Sequence, residues 1–372
     1  MLTIQPYPIA AAMCFVTMLC RDSRARTRKH SSSRFSLPFR TASILLAAAC
    51  CVFAMAPARA AEPASASPPV KIIFDTDMGN DVDDIFALAI LHDAQDKGLC
   101  ELLAVTLTTP DPLSAPYTRF LNRLCGRPDI PVGVNPASPK VWSEKKRFLK
   151  FIETVPGAGL AASHPPALQV LRRALAAAPD ASVVIVQVGS FTNLADLLRS
   201  GPDEISPLDG RALAAKKVRW LSLMAGDFGN PEHAEFNVKI DAPSARLVAE
   251  QWPTPRVWSG YEVGIAVRLP AEVISDKLPP GNIARESYQR YQPVPHERPC
   301  WDLTSAFFAV HPQTPLLTPG RAGRVTVAEK GHTAFAADPA GPDSLLFVSP
   351  EQAAALRAKF AKIAVEKFAA AK

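Results

Sequence analysis

The sequence is short of cysteine, and its main part carries almost no excess charge. Seven of the 372 residues are cysteine, and only Cys100, Cys125 and Cys300 lie beyond residue 60. Three scattered cysteines do not form the disulfide framework of a small secreted protein or a thiolate metal site, and at most one pair could bridge. A chain of this length can bury a large hydrophobic core without such crosslinks.

The overall charge of +6 does not indicate a nucleic-acid partner. Eight of the 41 Lys and Arg residues, but only one of the 35 Asp and Glu residues, lie within residues 1–60. The rest of the chain is therefore close to neutral, and the basic balance belongs to the N-terminal segment. We expect no nucleic-acid binding from this composition.

Residues 1–60 have the pattern of a secretory signal peptide. Basic residues between Arg21 and Arg40 precede an apolar stretch at 44–55, and Ala58-Arg59-Ala60 resembles a cleavage site. That stretch is shorter than the roughly 20 apolar residues of a membrane-spanning helix. We therefore expect cleavage after residue 60, a periplasmic or secreted product, and no membrane attachment after cleavage. Residues 61–69, rich in Pro, Ala and Ser, then form a flexible linker to a domain at 70–372.

Beyond the linker, short apolar runs alternate with helical patterns. Continuous apolar strands separated by helices are typical of a parallel sheet covered on both faces. The fold class is therefore α/β, with a single open, mostly parallel twisted sheet flanked by helices. The predicted strands are 70–74, 102–107, 130–134, 182–188, 218–224 and 256–259, and the predicted helices are 85–94, 117–124, 167–178, 193–199 and 242–251. Residues 140–164 show no core pattern, and 321–348 suggest a small terminal hairpin.

Five aspartates within ten positions follow the first predicted strand: Asp75, Asp77, Asp81, Asp83 and Asp84. Ligands of open α/β sheets bind at the carboxyl ends of the strands, where these side chains fall. A single aspartate there could cap the following helix, but five carboxylates leave a surplus of negative charge. A hard divalent cation would balance that surplus, and an all-oxygen ligand set favours Ca²⁺ or Mg²⁺ over zinc.

Four stretches resemble, in order, the motifs of the nucleoside hydrolase family in its inosine-uridine-preferring group. They are DTDMGNDVDDIFAL at 75–88, VQVGSFTNLADLL ending at 198, MAGDFGNPEHAEFNVKIDAPSA at 224–245 and CWDLTSAFFAV at 300–310. Their order and spacing cover nearly all of the chain beyond residue 70. The resemblance implies hydrolysis of the N-glycosidic bond of ribonucleosides to ribose and free base. It also implies a dimer or tetramer of identical subunits.

The resemblance also implies a role for particular residues. Calcium ligands would be Asp77, Asp84, the backbone carbonyl of Val188, and Asp302. Asp77 would also be the general base that activates a metal-bound water. Asp83 would contact the ribose and the water, and Met224 would pack beneath the sugar. The ribose hydroxyls would be held by three further residues: Asn230, Glu235 and Asn237.

The first motif and the second strand depart from the family pattern. Two extra residues precede Asp83-Asp84, so either Asp81 or Asp84 could be the second carboxylate ligand. The match of the DDxxAL ending to the helix start favours Asp84. After the second strand, Asp111 falls near the position of a ribose-contacting Asn and adds another acid to the candidate substrate-binding residues.

Trp301 stands directly before Asp302, where many members of the family have the histidine that protonates the leaving base. An indole cannot donate that proton near neutral pH. Trp301 could instead stack on a purine, or it could only form part of the cleft wall. His296, Tyr288 and Tyr291 are candidate replacements for the missing acid.

Three other functions compete with nucleoside hydrolysis. A haloacid-dehalogenase type phosphatase also has Asp-x-Asp after its first strand, but its acidic pair lies far downstream rather than six residues after Asp77. A periplasmic ribonucleoside-binding protein with weak or lost catalysis is compatible with Trp301. Hydrolysis of another N-riboside is compatible with loops on the base side that match the family least.

Overall fold

The computed structural model describes residues 68–140 and 148–369. The predicted signal peptide at 1–60 and most of the predicted linker at 61–69 lie outside these ranges. In the described part of the chain, no helix is long and apolar enough to cross a membrane.

Twelve strands and twelve α-helices make up the described part. The strands are β1 Val70–Thr76, β2 Cys100–Leu107, β3 Val132–Val134, β4 Val183–Gln187, β5 Val218–Met224, β6 Arg256–Ser259, β7 Arg268–Leu269, β8 Arg298–Pro299, β9 Thr318–Pro319, β10 Gly323–Val327, β11 Thr333–Ala337 and β12 Asp343–Phe347. The helices are α1 Asp83–Asp96, α2 Ser114–Leu124, α3 Ala167–Ala177, α4 Thr192–Arg199, α5 Gly210–Lys217, α6 Phe236–Lys239, α7 Ala242–Gln251, α8 Tyr261–Ala266, α9 Ala271–Lys277, α10 Ile283–Tyr291, α11 Trp301–Val310 and α12 Pro350–Ala369, with a 3-10 helix at Phe148–Thr154.

The main sheet is open and mostly parallel, as predicted. Its strand order is β11-β10-β12-β6-β5-β4-β1-β2-β3, and all neighbours from β12 to β3 are parallel. β10 and β11 are antiparallel, and β9 pairs antiparallel with β12. The chain winds outward from β1 in both directions, so β1 and β4 lie side by side where the winding reverses. This reversal opens a crevice at the carboxyl ends of the two strands.

Both faces of the sheet are covered by helices, which explains why the central strands carry apolar side chains on both faces. In β1, Ile72 and Phe74 pack in one core with α1 and α11, while Ile73 packs in the other with α3, α4 and α7. All three side chains are fully buried. Successive strand residues point to opposite faces, and each such burial contributes about 1.5–3 kcal/mol.

Two C-terminal and loop features differ from the sequence-based expectation. The hairpin expected at 321–348 is instead an antiparallel extension of the main sheet, in which β10 pairs with both β11 and β12, and β12 pairs parallel with β6. In the segment without a core pattern, the 3-10 helix buries Phe148, Leu149 and Ile152 completely. Both differences depend on partners far away in the chain, which local apolar periodicity does not report.

A buried ion pair joins β12 to β6. The Arg256 guanidinium binds both carboxylate oxygens of Asp343 at 2.6 and 2.9 Å, and Asp343 also accepts the Trp258 indole N–H at 2.8 Å. A fourth donor, the Val325 amide, reaches Asp343 from β10 at 2.8 Å. The pair therefore fixes the register between the parallel sheet and the terminal hairpin.

We predict that Arg256→Met lowers the free energy of unfolding by about 3–5 kcal/mol, because it leaves the Asp343 carboxylate buried without its cation. Urea denaturation followed by circular dichroism measures this change. Arg324→Met is the matched control, since Arg324 pairs with Asp338 on the same hairpin but is largely exposed. Equal stability of the two variants would show that the buried pair does not hold β12 in place.

Candidate active site

The predicted site residues meet at the carboxyl ends of neighbouring parallel strands. Asp77 directly follows β1, Val188 directly follows β4, and Met224 is the last residue of β5. Gly189 lets β4 approach this closely, because a Cβ there would lie 2.8 Å from the Asp77 amide nitrogen. The site thus occupies the crevice that the reversal between β1 and β4 creates.

Four carboxylates are gathered in this crevice and shielded from water. Asp77, Asp83, Asp84 and Asp302 are each at most 5% exposed. Burial and mutual repulsion raise the pKa of Asp77, Asp84 and Asp302 well above the usual range. One oxygen each of Asp77 and Asp84 has no hydrogen-bond partner. Buried carboxylate oxygens without a donor are costly, so this arrangement favours a positively charged ligand.

Three of these carboxylates lie in the first turns of α1 and α11, whose N-terminal ends point toward the crevice. Asp83 and Asp84 open α1, and Asp302 is the second residue of α11. Helix N-termini carry partial positive charge, which favours carboxylates there. The two helix ends are also linked directly, since the Asp302 amide donates to Asp83 Oδ2 at 3.3 Å.

Asp75 supports the crevice from below. Its Oδ1 accepts the Thr106 hydroxyl at 2.5 Å and the Asn193 amide at 2.7 Å, so it ties β1 to β2 and α4. Burial raises the pKa of Asp75 to about 7. Asp75 is fully buried and does not line the cleft described below.

Arg298 neutralises part of the acidic cluster, and sequence analysis did not identify it. Its guanidinium binds Asp83 at 2.6 Å and Asp81 at 2.6 Å, and it lies 4.8 Å from the ring centre of Trp301. Asp81 also accepts the Tyr291 hydroxyl at 2.6 Å. Asp81 is therefore engaged by a cation and a phenol, whereas Asp84 bonds the Thr76 hydroxyl and keeps its other oxygen unpartnered.

A cleft with a volume of about 110 Å³ opens beside the carboxylates. Its lining combines acids, amides and aromatic rings: Asp77, Asn80, Asp81, Val188, Met224, His233, Glu235, Phe236, Asn237, Tyr261, Trp301 and Asp302.

The residues predicted to hold a sugar that line this cleft are Met224, Glu235 and Asn237. The Asn237 amide donates to the carbonyl oxygens of Val188 at 2.9 Å and of Met224 at 3.0 Å. The Glu235 carboxylate accepts the backbone amides of Gly226, Asn237 and Val238, which holds it in one orientation although burial raises its pKa. The polar wall of the cleft is thus fixed before any ligand enters.

Three predicted site residues lie elsewhere. Asn230 is exposed and lines a neighbouring, more open cavity, and Asp111 lines a different cavity where its Oδ1 accepts the Leu113 amide. His296 packs its ring flat on Tyr288 at 4.1 Å and is not part of the cleft lining. None of these three side chains lines the cleft beside the carboxylates.

Trp301 forms the aromatic wall of the cleft together with Tyr261. The two ring centres are 5.2 Å apart, and the Trp301 indole N–H donates to the Tyr261 carbonyl at 3.0 Å. Gly264 permits this packing, since a Cβ there would lie 2.5 Å from the Trp301 Cα. Tyr261 and His233 were not identified from sequence, because their positions beside Trp301 depend on how β5, β6 and α11 meet.

The donor atoms at the crevice fit a hard cation better than a soft one. They are the carboxylate oxygens of Asp77, Asp84 and Asp302 and the carbonyl oxygen of Val188, and the imidazole in the cleft lining, His233, is bonded to Asp227. Across residues 68–140 and 148–369, no three His, Cys, Asp or Glu side chains are already drawn together as a metal-binding group.

Solved structures with this fold cover most of the chain. A plant nucleoside hydrolase, the PpNRh1 enzyme, superimposes with a TM-score of 0.61 at 20% identity, over 81% of this chain and 99% of its own. The purine-preferring ribonucleoside hydrolase from Gardnerella vaginalis gives 0.59 at 18% identity, over 80% and 99%. The type III effector protein XopQ, solved with adenosine diphosphate ribose, gives 0.59 at 15% identity, over 81% and 94%. At these identities the likeness shows the fold alone.

The sequence match is more specific than the structural one. No curated protein sequence matches the chain. The family model described as inosine-uridine preferring nucleoside hydrolase matches residues 72–359, which include all four motifs and every strand from β2 to β12. This chain therefore belongs to the inosine-uridine preferring nucleoside hydrolase family, a family of N-glycosyl hydrolases.

Proposed function

We propose that this protein hydrolyses the N-glycosidic bond of ribonucleosides in a Ca²⁺-dependent reaction and releases ribose and free base. The observation that carries the proposal is the pair of buried carboxylates, Asp77 and Asp84, each with an unpartnered oxygen in the crevice between β1 and β4. The fixed polar wall of Glu235 and Asn237 stands in the same cleft. Family membership supports the same reaction.

Asp77, Asp84, Asp302 and the Val188 carbonyl would hold the cation. Oxygen-only donors match Ca²⁺, which accepts six to eight such ligands in flexible geometry. Asp84 is the better second carboxylate, because Asp81 is already bound by Arg298 and Tyr291. When bound, Ca²⁺ lowers the pKa of a coordinated water and holds the ribose diol next to it.

The chain's own residues would perform the remaining steps. Asp77 accepts a proton from the attacking water at its unpartnered oxygen, Oδ2. Glu235 and Asn237 hold the ribose hydroxyls, and Met224 packs beneath the sugar. Bond cleavage builds positive charge on the ribose ring, and the surrounding carboxylates stabilise that charge electrostatically. Arg298 positions Asp83 through two nitrogens, and its charge favours the ionised carboxylate against the burial that raises the pKa of Asp83.

Two alternatives remain distinct from this proposal. A ribonucleoside-binding protein with weak or lost catalysis would keep the cation and the sugar contacts, and Trp301 in place of the usual histidine favours it. XopQ, of the same fold, was solved with adenosine diphosphate ribose bound. Hydrolysis of another N-riboside would use the same sugar contacts with a different leaving group. Tight binding without release of base would identify the first alternative.

We also propose that the protein is periplasmic or secreted and that it forms a dimer or tetramer. The N-terminal pattern supports secretion to the periplasm or beyond, and the family resemblance supports a dimer or tetramer of identical subunits. Fractionation of cells and light scattering of the purified protein measure these two properties. A cytoplasmic full-length chain or a monomer would contradict them.

We predict that the protein releases free base from at least one of inosine, adenosine, uridine and cytidine, and that a chelator abolishes this turnover. Asp77→Asn keeps the side-chain shape but loses the proton acceptor and a cation ligand. We expect its kcat to fall by about 10²–10⁴-fold, the range of general acid–base contributions, or more. Measured base release at the wild-type rate in this variant would refute the assigned role.

A second prediction separates the two candidate ligands. Asp84→Asn should weaken Ca²⁺ binding by at least about 10-fold, because it removes a ligand whose charge has no other partner. Asp81→Asn is the matched control and should change the Ca²⁺ affinity far less, since Arg298 and Tyr291 bind that side chain. Calorimetric titration of chelator-treated protein measures both. The reverse order of effects would assign Asp81 as the ligand.

A further inference from the structure

The cleft lacks a proton donor at the position of Trp301. The indole N–H is bound to the Tyr261 carbonyl, and an indole gives up no proton near neutral pH. His296 packs on Tyr288 away from the cleft. A departing base that leaves as an anion is a poor leaving group, so efficient cleavage of an ordinary nucleoside needs an acid on the base side.

His233 is the imidazole among the described residues that line the cleft. Its Nδ1 lies 2.8 Å from Asp227 Oδ2, and Asp227 is 4% exposed. A carboxylate on one ring nitrogen fixes the ring orientation and leaves Nε2 for a ligand. The His233 side chain is 39% exposed, so its proton can be replaced from solvent.

The ring of His233 belongs to the aromatic wall of the cleft. It packs edge-on against Tyr261 at 4.7 Å, and Tyr261 in turn packs against Trp301. A base stacked along this wall would therefore lie next to the imidazole. The Tyr261 hydroxyl is a weaker candidate, because a phenol gives up its proton near neutral pH less readily than an imidazolium does.

The loop that carries His233 is held at both ends. Asp227 Oδ1 accepts the amides of Gly229 and Asn230, and the Asp227 amide donates to the Thr333 hydroxyl at 3.1 Å. Two residues after His233, Glu235 accepts the Gly226 amide at 3.0 Å. These bonds close the loop on itself, so the imidazole is presented from a fixed position.

We propose that His233, oriented by Asp227, is the general acid that protonates the leaving base; this rests on the proposed nucleoside hydrolysis. The C1′–N bond breaks and its electron pair passes to the base, which takes the proton from His233 Nε2. The water oxygen bonds to C1′ and gives one proton to Asp77. Asp77 then releases that proton and the imidazole regains one from solvent, so the net reaction consumes one water.

The test compares two substrates that differ in their need for an acid. Inosine needs its base protonated, whereas p-nitrophenyl β-D-riboside releases a phenolate that is stable near neutral pH. His233→Gln should lower kcat for inosine by about 10²-fold or more and leave kcat for the phenyl riboside nearly unchanged. Asp227→Asn should lower kcat for inosine by a smaller factor, because it weakens the bond that orients the ring but leaves the proton donor in place.

Glu232→Gln, an exposed neighbour in the same loop, is the control and should affect neither substrate. Thermal melting and calcium titration of His233→Gln show whether the variant is folded. An equal loss on both substrates would mean that His233 is structural, and no loss on inosine would overturn the proposal. If the wild-type protein cleaves neither the phenyl riboside nor any of inosine, adenosine, uridine and cytidine, the proposed hydrolysis itself fails and the role of His233 fails with it.

Discussion

The structure depends on how the repulsion among buried carboxylates at the end of β1 is balanced. Asp77, Asp84 and Asp302 are removed from water and face one another, which raises the pKa of each. Nothing in the core requires these acids, since the neighbouring strands are held by apolar side chains on both faces. Energetically unfavourable groups are typical of functional sites. We therefore infer that this cluster of buried carboxylates serves to bind a ligand.

We propose that two cations, Arg298 and a bound Ca²⁺, together balance this charge. Arg298 binds Asp81 and Asp83 and so belongs to the protein itself. The unpartnered oxygens of Asp77 and Asp84 are left for an ion from solution. This division explains how two extra residues in the first motif are accommodated, because they place Asp81 on the guanidinium and keep the Asp83-Asp84 pair at the start of α1. It also couples the aromatic wall to the acidic cluster, since Arg298 lies against Trp301.

Local sequence pattern predicts the parallel strands from β1 to β6 and the acids that follow β1. The apolar run Ile72-Ile73-Phe74 predicts a strand that is buried on both faces. The aspartates that follow this run are therefore predicted to lie at the carboxyl end of the strand. Local pattern could not predict the roles of Arg298 and His233, because the residues that each of them contacts at the site are brought together only by the fold. The same limit applies to Asn230, whose motif position matches the family, and to His296, a candidate replacement acid, since both side chains lie outside the cleft. It also applies to β12, where Asp343 reaches Arg256 from 87 positions away.

The central claim is that the acidic crevice encloses Ca²⁺, and a crystal structure of the protein grown with calcium tests it most directly. The account predicts one ion within about 2.3–2.6 Å of oxygens from Asp77, Asp84, Asp302 and the Val188 carbonyl. Arg298 should remain on Asp81 and Asp83 in that structure. A crevice without an ion at saturating calcium, with the Asp77 and Asp84 oxygens bonded to water or to other protein groups, would contradict the account.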